Sequence, residues 1–367
     1  MRVRVCVLLL AAAAFGSAAS QGPGTAARTG VFFESYSFGS GLAFDRISEM
    51  TIPVTVTQRF GSRVTVDIGT AYASASVRQT NGQTIDHSGF IDTDVRTTVA
   101  VIPGRLVFTL VGTLPTGAAE VPDTTIPLFG ATATDLLGFT TPGFGSGGGL
   151  SAGFASAFKL GQNWAVGTGA SYRYAASYTP VAGGDQLTPG GEARLRFGVE
   201  GPFGGGKYFR GAFVYTTSGA NEFDTGLRSV LGDRALAYAA VTMPLGRGSL
   251  AIYGWDMRRL NPRTADTGTV VVPRGNVLAL GARLDRPLSP TVTLAPLLEF
   301  RHELTGAGSK MELLGYLVRT GTDLRYRVSP RFTAVLQAQV AFGKIQDGTE
   351  SISLVGPRLG ALIEWSR

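Results

Sequence analysis

The feature that most constrains this chain is a period-two alternation that runs without break for nine to eleven residues at a time and recurs along most of its length. Successive side chains of a strand point to opposite faces, so such a run describes a strand with two different environments. In 192–200, Ala193, Leu195, Phe197 and Val199 interleave with Glu192, Arg194, Arg196, Gly198 and Glu200. In 318–328, Val318, Thr320, Thr322, Leu324, Tyr326 and Val328 alternate with Arg319, Gly321, Asp323, Arg325 and Arg327. The segments 92–101, 292–301 and 332–342 repeat the pattern. A soluble sandwich alternates too, but its strands are ordinarily only about five or six residues long.

The connections alternate as well. Tight turns fall at 60–63, 103–105, 160–163, 202–207, 244–248, 286–290 and 329–331. Between them stand longer polar loops at 79–89, 180–190, 218–233, 260–274, 303–310 and 343–350. Short periplasmic turns and long external loops are the topology of outer-membrane barrels. The reading is an all-β fold, a transmembrane antiparallel up-and-down β-barrel over 31–367, with both termini in the periplasm. Counting from Val31 gives about 16 strands, with about 14 as the rival.

The N-terminus fits export to that location. Arg2 and Arg4 precede an apolar run from Val5 to Phe15, and Ser17, Ala18, Ala19 and Ser20 supply a cleavage site. This marks 1–20 as a signal peptide and 21–30 as a short periplasmic linker. The rival reading, a membrane anchor, needs about 20 apolar residues, more than this run has. The single cysteine, Cys6, lies within the signal, which leaves no disulfide, thiolate nucleophile or cysteine metal site afterwards. No later stretch is long and apolar enough for a transmembrane helix.

Only 16% of residues are charged, against about a quarter in soluble domains, and the formal net charge is +7. The arginines are dispersed through strand-like segments with no basic patch, which argues against a nucleic-acid partner. On the strand pattern, Asp94, Arg96, Arg173, Arg194, Arg196, Arg210, Asp256, Arg258, Arg283, Asp285, Glu299, Arg301, Arg319, Asp323, Arg325 and Arg327 face inward. A basic residue facing lipid at mid-bilayer costs about 2–4 kcal/mol, so this register must meet water or other charges. Two outcomes fit: arginines paired with acids that fill the lumen, or a basic surplus lining an aqueous path that favours anions. On the other register Trp164, Tyr172, Tyr174, Phe209, Phe213, Tyr215, Tyr253, Trp255 and Tyr326 fit aromatic girdles against lipid and lipopolysaccharide.

The longest connection, 115–147, is apolar for a loop: Val121, Ile126, Leu128, Phe129, Leu136, Leu137, Phe139 and Phe144. Folding into the barrel mouth as a constriction, with Thr134 or Asp135 starting a short helix, would cover it; packing over the rim or against a partner would also do so. The glycines of 143–149 lack the lysine and helix of a phosphate loop and read as room for close backbone approach. His87 reads as a solvated loop residue and His302 as lipid-facing. Neither has a triad geometry or metal-ligand spacing in sequence, so no catalytic residue, metal or cofactor is assigned and an enzyme is not expected.

At the C-terminus, Gly360, Ile363 and Trp365 stand in the spacing that resembles the last-strand signal read by the bacterial barrel-assembly machinery, although Ser366 and Arg367 follow the aromatic residue. Leu114-Pro-Thr-Gly117, the long loop, Gly145–Gly149 and the Trp164–Tyr174 strand resemble outer-membrane proteins of the phenol meta-cleavage pathway, relatives of the fatty-acid-type channels for hydrophobic compounds. The resemblance covers the central third and implies passive uptake of small hydrophobic or aromatic solutes. One departure is plain. Those channels carry an N-terminal plug, whereas here strands begin soon after the cleavage site, which shifts gating onto 115–147. The expectation is a bacterial outer-membrane channel; the alternatives are a structural or adhesive barrel with a closed lumen, or a hydrolase dependent on His87 or His302.

Overall fold

The computed structural model describes residues 24–141, 143–230, 232–260, 263–265, 270–272, 274–306, 311–348 and 350–367. The signal segment 1–20, Cys6 within it and the first linker residues lie outside the described residues. The strands begin with β1 (Thr25–Phe38), β2 (Phe44–Phe60), β3 (Val64–Gln79), β4 (Thr84–Phe90), β5 (Thr93–Ile102), β6 (Leu106–Leu114), β7 (Gly149–Leu160) and β8 (Trp164–Ala175). After β9 (Leu187–Thr188) come β10 (Glu192–Pro202), β11 (Tyr208–Ser218), β12 (Ala220–Phe223), β13 (Arg228–Val230), β14 (Arg234–Leu245) and β15 (Gly248–Arg259). The chain ends with β16 (Arg263–Ala265), β17 (Val270–Val272), β18 (Arg274–Pro287), β19 (Val292–Gly306), β20 (Glu312–Arg327), β21 (Phe332–Asp347) and β22 (Glu350–Ser366).

Each long strand pairs antiparallel with the next, and β22 pairs with β1, so the ring closes. Because β4 and β5 share the edge of β3 as one interrupted passage, the ring has sixteen strands. β1 starts at Thr25, inside the segment read as linker. There Ala26–Thr29 pair on one side with Thr57–Val54 and on the other with Ser366–Ile363. Closure needs this segment as strand, since hydrocarbon offers an unpaired strand edge no hydrogen-bond partners.

The expected short turns lie at one end. Gly61, Gly104, Gly161 and Gly246 supply their left-handed corners, at φ of +63°, +71°, +66° and +57°. At the other end β21 and β22 meet in a tight hairpin, Asp347 pairing with Glu350, where the sequence reading places a longer loop over 343–350. The segment 79–89, read as a polar loop, instead zips onto β3 as β4. At the outer end β9, β12, β13, β16 and β17 form a second small sheet above the barrel. Its strands are two to four residues long, too short for periodicity to register.

The two faces are inverted relative to a soluble protein. On β19, Leu298 is 54% exposed while the next residue, Glu299, is 9% exposed. The same holds around the ring: Phe33, Phe154, Leu195, Phe197, Leu280 and Leu336 are exposed, whereas Glu34, Glu49, Arg319 and Asp323 are buried. An apolar outside around a charged inside is stable only in lipid, and together with the closed antiparallel ring it makes this a bacterial outer-membrane barrel. Trp164, Tyr172, Tyr174, Phe209, Phe213, Tyr215 and Tyr326 lie on the outward register. Tyr253 and Trp255 do not. They face the lumen, where the Tyr253 hydroxyl donates to Glu299 at 2.9 Å and the Arg301 guanidinium lies 5.7 Å from the Trp255 ring.

Leu298→Arg, facing mid-bilayer, is expected to destabilise the barrel by about 2–4 kcal/mol, while Leu288→Arg in a periplasmic turn should cost about 0–1 kcal/mol. Urea midpoints of the protein folded into lipid vesicles measure both, and equal losses would contradict this placement of the lipid belt.

Candidate functional site

The long connection between β6 and β7 turns into the barrel. It carries a single 3-10 turn (Asp123–Thr125) and one short helix, α1 (Ile126–Thr132), with Pro127 in its first turn, where a missing N–H costs nothing. The helix starts at Ile126, earlier than the Thr134 or Asp135 start expected. Leu128, Leu136, Leu137, Phe139 and Phe144 are each less than 5% exposed. They cluster with Tyr36 and Phe38 of β1, Ile47 of β2, Val77 of β3, Leu317 of β20 and Leu354 of β22, all on the inward register. Phe129 packs against the edge of this cluster, whereas Ile126 is half exposed. Burying each such Leu or Phe stabilises the docked loop by about 1.5–3 kcal/mol.

Polar contacts fix the position. Arg319 of β20 donates to the Leu137 carbonyl and to the Tyr36 hydroxyl, each at 3.0 Å. Arg301 of β19 donates to the Leu136 carbonyl at 3.4 Å and holds Glu299 at 2.8 Å. Arg259 of β15 pairs with Asp135 at 2.9 Å and with Glu303 at 3.4 Å. From the other side, the Thr141 N–H donates to Glu49 and the Thr140 hydroxyl to Glu34, both at 2.8 Å. Arg358 of β22 lies 3.3 Å from Glu34. The loop therefore spans from its root at β6 and β7 to anchors on β1, β2, β15, β19 and β20.

Two glycines explain why the loop can make that path. A Cβ on Gly117 would collide with the Phe144 carbonyl, so the two arms of the loop touch backbone to backbone. Gly138, at φ +65°, turns the chain against the Arg301 guanidinium.

Of the expected lining residues, Asp94, Arg96, Arg173, Arg194, Arg196, Arg210, Arg283, Glu299, Arg301, Arg319, Asp323 and Arg325 lie on the inward register. Asp285 and Arg327 share it. Arg258 and Asp256 do not. They alternate with inward Met257 and Arg259, face out at the external end of β15, and pair with each other at 2.9 Å. Charge was a poor guide there because outward charges cost little near the interface.

The inward residues fall into two groups. Arg283 bridges Asp285 at 3.1 Å and Asp323 at 2.7 Å, and Glu299, Arg301 and Arg319 form the cluster beneath the loop. A cavity of about 520 Å³ opens beside Arg283 toward the periplasmic end, lined also by Arg247, Ser249, Asp285, Asp323 and Arg325. The second group lines β5 to β14. Glu192 bridges Arg194 and Arg234, Glu200 holds Arg210 at 3.0 Å, and the Thr113 hydroxyl donates to Asp94 at 2.6 Å. Arg173 also has a partner.

His87 is not a solvated loop residue. It lies on β4 on the inward register, with its ring 4.6 Å from that of Phe144 and 5.7 Å from that of Phe129. Its sequence neighbours Asp86 and Ser88 point to the other face of the strand, so the adjacent Asp, His and Ser do not converge. His302 points outward and stacks on Phe300. Among the described residues no group of three His, Cys, Asp or Glu could hold a metal ion. Gly360, Ile363 and Trp365 lie on the closing strand β22, Gly360 inward and the other two outward.

Sequence reasoning missed Tyr36, Glu34, Glu49, Arg259, Glu303 and Arg358, which hold the loop or its anchors. The alternation of 31–38 carries the signal for two of them, since Glu34 and Tyr36 interleave with Val31 and Phe33.

No family model matches the sequence, and no curated protein matches it. Solved structures of similar chain path are outer-membrane proteins. A bacterial polysaccharide outer-membrane secretin has 8% identity and a TM-score of 0.47, covering 92% of this chain and 97% of its own. The anion-selective porin from Comamonas acidovorans has 11% identity and a TM-score of 0.43, with coverage of 94% and 98%. A deltaS2S3 mutant of the TodX monoaromatic hydrocarbon channel has 10% identity and a TM-score of 0.43, with coverage of 95% and 91%. Scores and identities this low say nothing of solute or gating.

Arg319→Ala removes the donors to the Leu137 carbonyl and the Tyr36 hydroxyl. Losing such charge-assisted bonds costs about 1.5–3 kcal/mol, so amide exchange across 128–141 should quicken about tenfold to hundredfold while that of β10 stays as it was. Unchanged exchange across 128–141 would remove Arg319 from the anchor.

Proposed function

We propose that this barrel is a passive channel for small solutes, narrowed by its own inward-folded loop. The observation that carries the reading is the asymmetry of the inner wall. The loop's anchors lie on β1, β2, β15, β19 and β20, whereas the wall from β5 to β14 keeps polar side chains within reach of water. Asp94 and Arg325 face inward and are nonetheless exposed, as a water-filled lumen requires. The loop reduces the cross-section, and the remaining wall meets the solute.

The loop's apolar character does not by itself argue for hydrophobic cargo. Leu128, Leu136, Leu137, Phe139 and Phe144 spend their apolar surface on docking and present almost none of it to the path. A second reading, uptake of aromatic compounds, is favoured by a different feature. A slot of about 160 Å³ in the inner wall is lined by Tyr208, Tyr238, Tyr253 and Arg210, and a cavity of about this size accepts one benzene ring.

The purified full chain in planar lipid bilayers should show discrete conductance steps, and deletion of 128–137 should enlarge them. Silent bilayers would identify a closed, structural barrel, and unchanged steps after deletion would clear the loop of any constricting role. For the aromatic reading, phenol efflux from loaded vesicles should saturate and should slow in Tyr238→Ala; non-saturating efflux identical in the two proteins would leave only general diffusion.

A further inference from the structure

Arginines and carboxylates are not matched evenly around the inner wall. From β5 to β14 the inward arginines are Arg96, Arg173, Arg194, Arg196, Arg210 and Arg234, against the carboxylates Asp94, Glu192 and Glu200. Among the described residues neither Arg96 nor Arg196 makes an ion pair. Asp67, the cross-strand partner of Arg96, instead accepts the Thr57 hydroxyl at 2.5 Å. The Nε of Arg196 is buried without a hydrogen-bond partner. The charges acting on Arg196 are Arg194 and Arg96, of the same sign, before Glu192. A buried guanidinium nitrogen with no acceptor, crowded by two like charges, is the arrangement a bound anion would relieve.

The wall around these arginines leaves room. Arg196 stands opposite Gly169 of β8, and that row continues through Ala155 of β7 to Val107 of β6. The row of Arg194 runs through Ser171, Gly153 and Thr109 to Thr98 of β5. Small side chains and hydroxyls thus separate the two arginine-bearing strands. Arg96 and Arg196 each stand six residues from the periplasmic end of their strand, Ile102 and Pro202, so both lie deep in the lumen and below the loop's anchors. A planar guanidinium offers paired N–H donors that match the oxygens of a carboxylate or phosphate.

We propose that Arg96 and Arg196, supported by Arg194, form a binding site for small oxyanions in the lumen, on the wall opposite the docked loop. The site rests on the channel reading and gives it a solute class, carboxylate- or phosphate-bearing molecules. It acts by local anion concentration and by direct guanidinium contacts, with serine and threonine hydroxyls beside them to take further oxygens.

The test is the reversal potential of the full chain in planar bilayers under a potassium chloride gradient, repeated with inorganic phosphate or acetate added. Wild type should favour chloride over potassium by at least about twofold, and phosphate, acetate or both should reduce the chloride current. Arg96→Gln with Arg196→Gln should abolish the preference and the block while current persists; Arg258→Gln, which removes an outward arginine, should change neither. Block by phosphate alone assigns the site to phosphates, and block by acetate as well extends it to carboxylates. Cation preference in wild type, block by neither anion, or a double variant that behaves as wild type overturns the site while leaving the channel intact. Absence of current in wild type overturns the channel reading itself, a result separable from all of these. Heat-dependent gel mobility of the double variant shows that its barrel is folded, so lost selectivity is not mistaken for lost structure.

Discussion

The backbone ladder between β1 and β22 is the interaction on which everything else depends. In hydrocarbon an unpaired row of N–H and C=O groups has nowhere to turn, so a sheet that crosses the outer membrane must close on itself. Closure drafts Ala26–Thr29 into the wall and fixes the register of every strand behind it. Once register is fixed, period two divides each strand, apart from shifts near the ends of β2, β5 and β19. Leu298 goes to lipid and Glu299 to the lumen, because no local preference can send both the same way.

That division gives the protein a polar interior, which then needs its own means of satisfying buried charge. Leaving an isolated carboxylate or guanidinium dry is far more costly than any packing gain. The loop between β6 and β7 answers this largely with backbone groups, joined by the Asp135 carboxylate on Arg259 and the Thr140 hydroxyl on Glu34. The carbonyls of Leu136 and Leu137 accept from Arg301 and Arg319, and the Thr141 N–H donates to Glu49. Its apolar side chains meanwhile find the few inward apolar residues near the external rim, such as Tyr36, Ile47 and Leu317. The hydrophobic core of this molecule is therefore small and lies inside the barrel mouth.

The sequence carried the barrel well because its signal is local. Alternation, tight turns such as those at Gly61 and Gly104, and a terminal strand ending in Trp365 can each be read without knowing what lies across the ring. Register failed where local charge outvoted neighbouring apolar residues. In β15 the charges of Asp256 and Arg258 suggested the inward face, yet Ile252 on the same register is exposed to lipid and Trp255 faces Arg301. The loop's destination was open for a different reason. Its apolar residues could be counted, but the surfaces that receive them come from strands distant in sequence on both sides, from Tyr36 and Val77 to Leu317 and Leu354. His87 was misread for the same reason, since Phe129 and Phe144, which bury it, arrive with the loop. The small external sheet was invisible because strands of two to four residues have no period.

The docked loop also sorts the interior by charge. Glu34, Glu49, Asp135, Glu299 and Glu303 are gathered beneath or against it, each with a donor from the loop or from the adjoining wall. Of the inward arginines without a carboxylate partner among the described residues, Arg96 and Arg196 lie on the side the anchors do not reach, while Arg325 and Arg327 stand at the periplasmic end of β20. Acid is thus consumed in holding the loop, and base is left on the bare wall. On the proposed reading a single packing event would both narrow the lumen and set the sign of its field, because in a low-dielectric tube a few unpaired charges act over the whole cross-section. Changes to the anchors and changes to the bare wall should therefore separate, the first acting on the size of the path and the second on the charge of what passes.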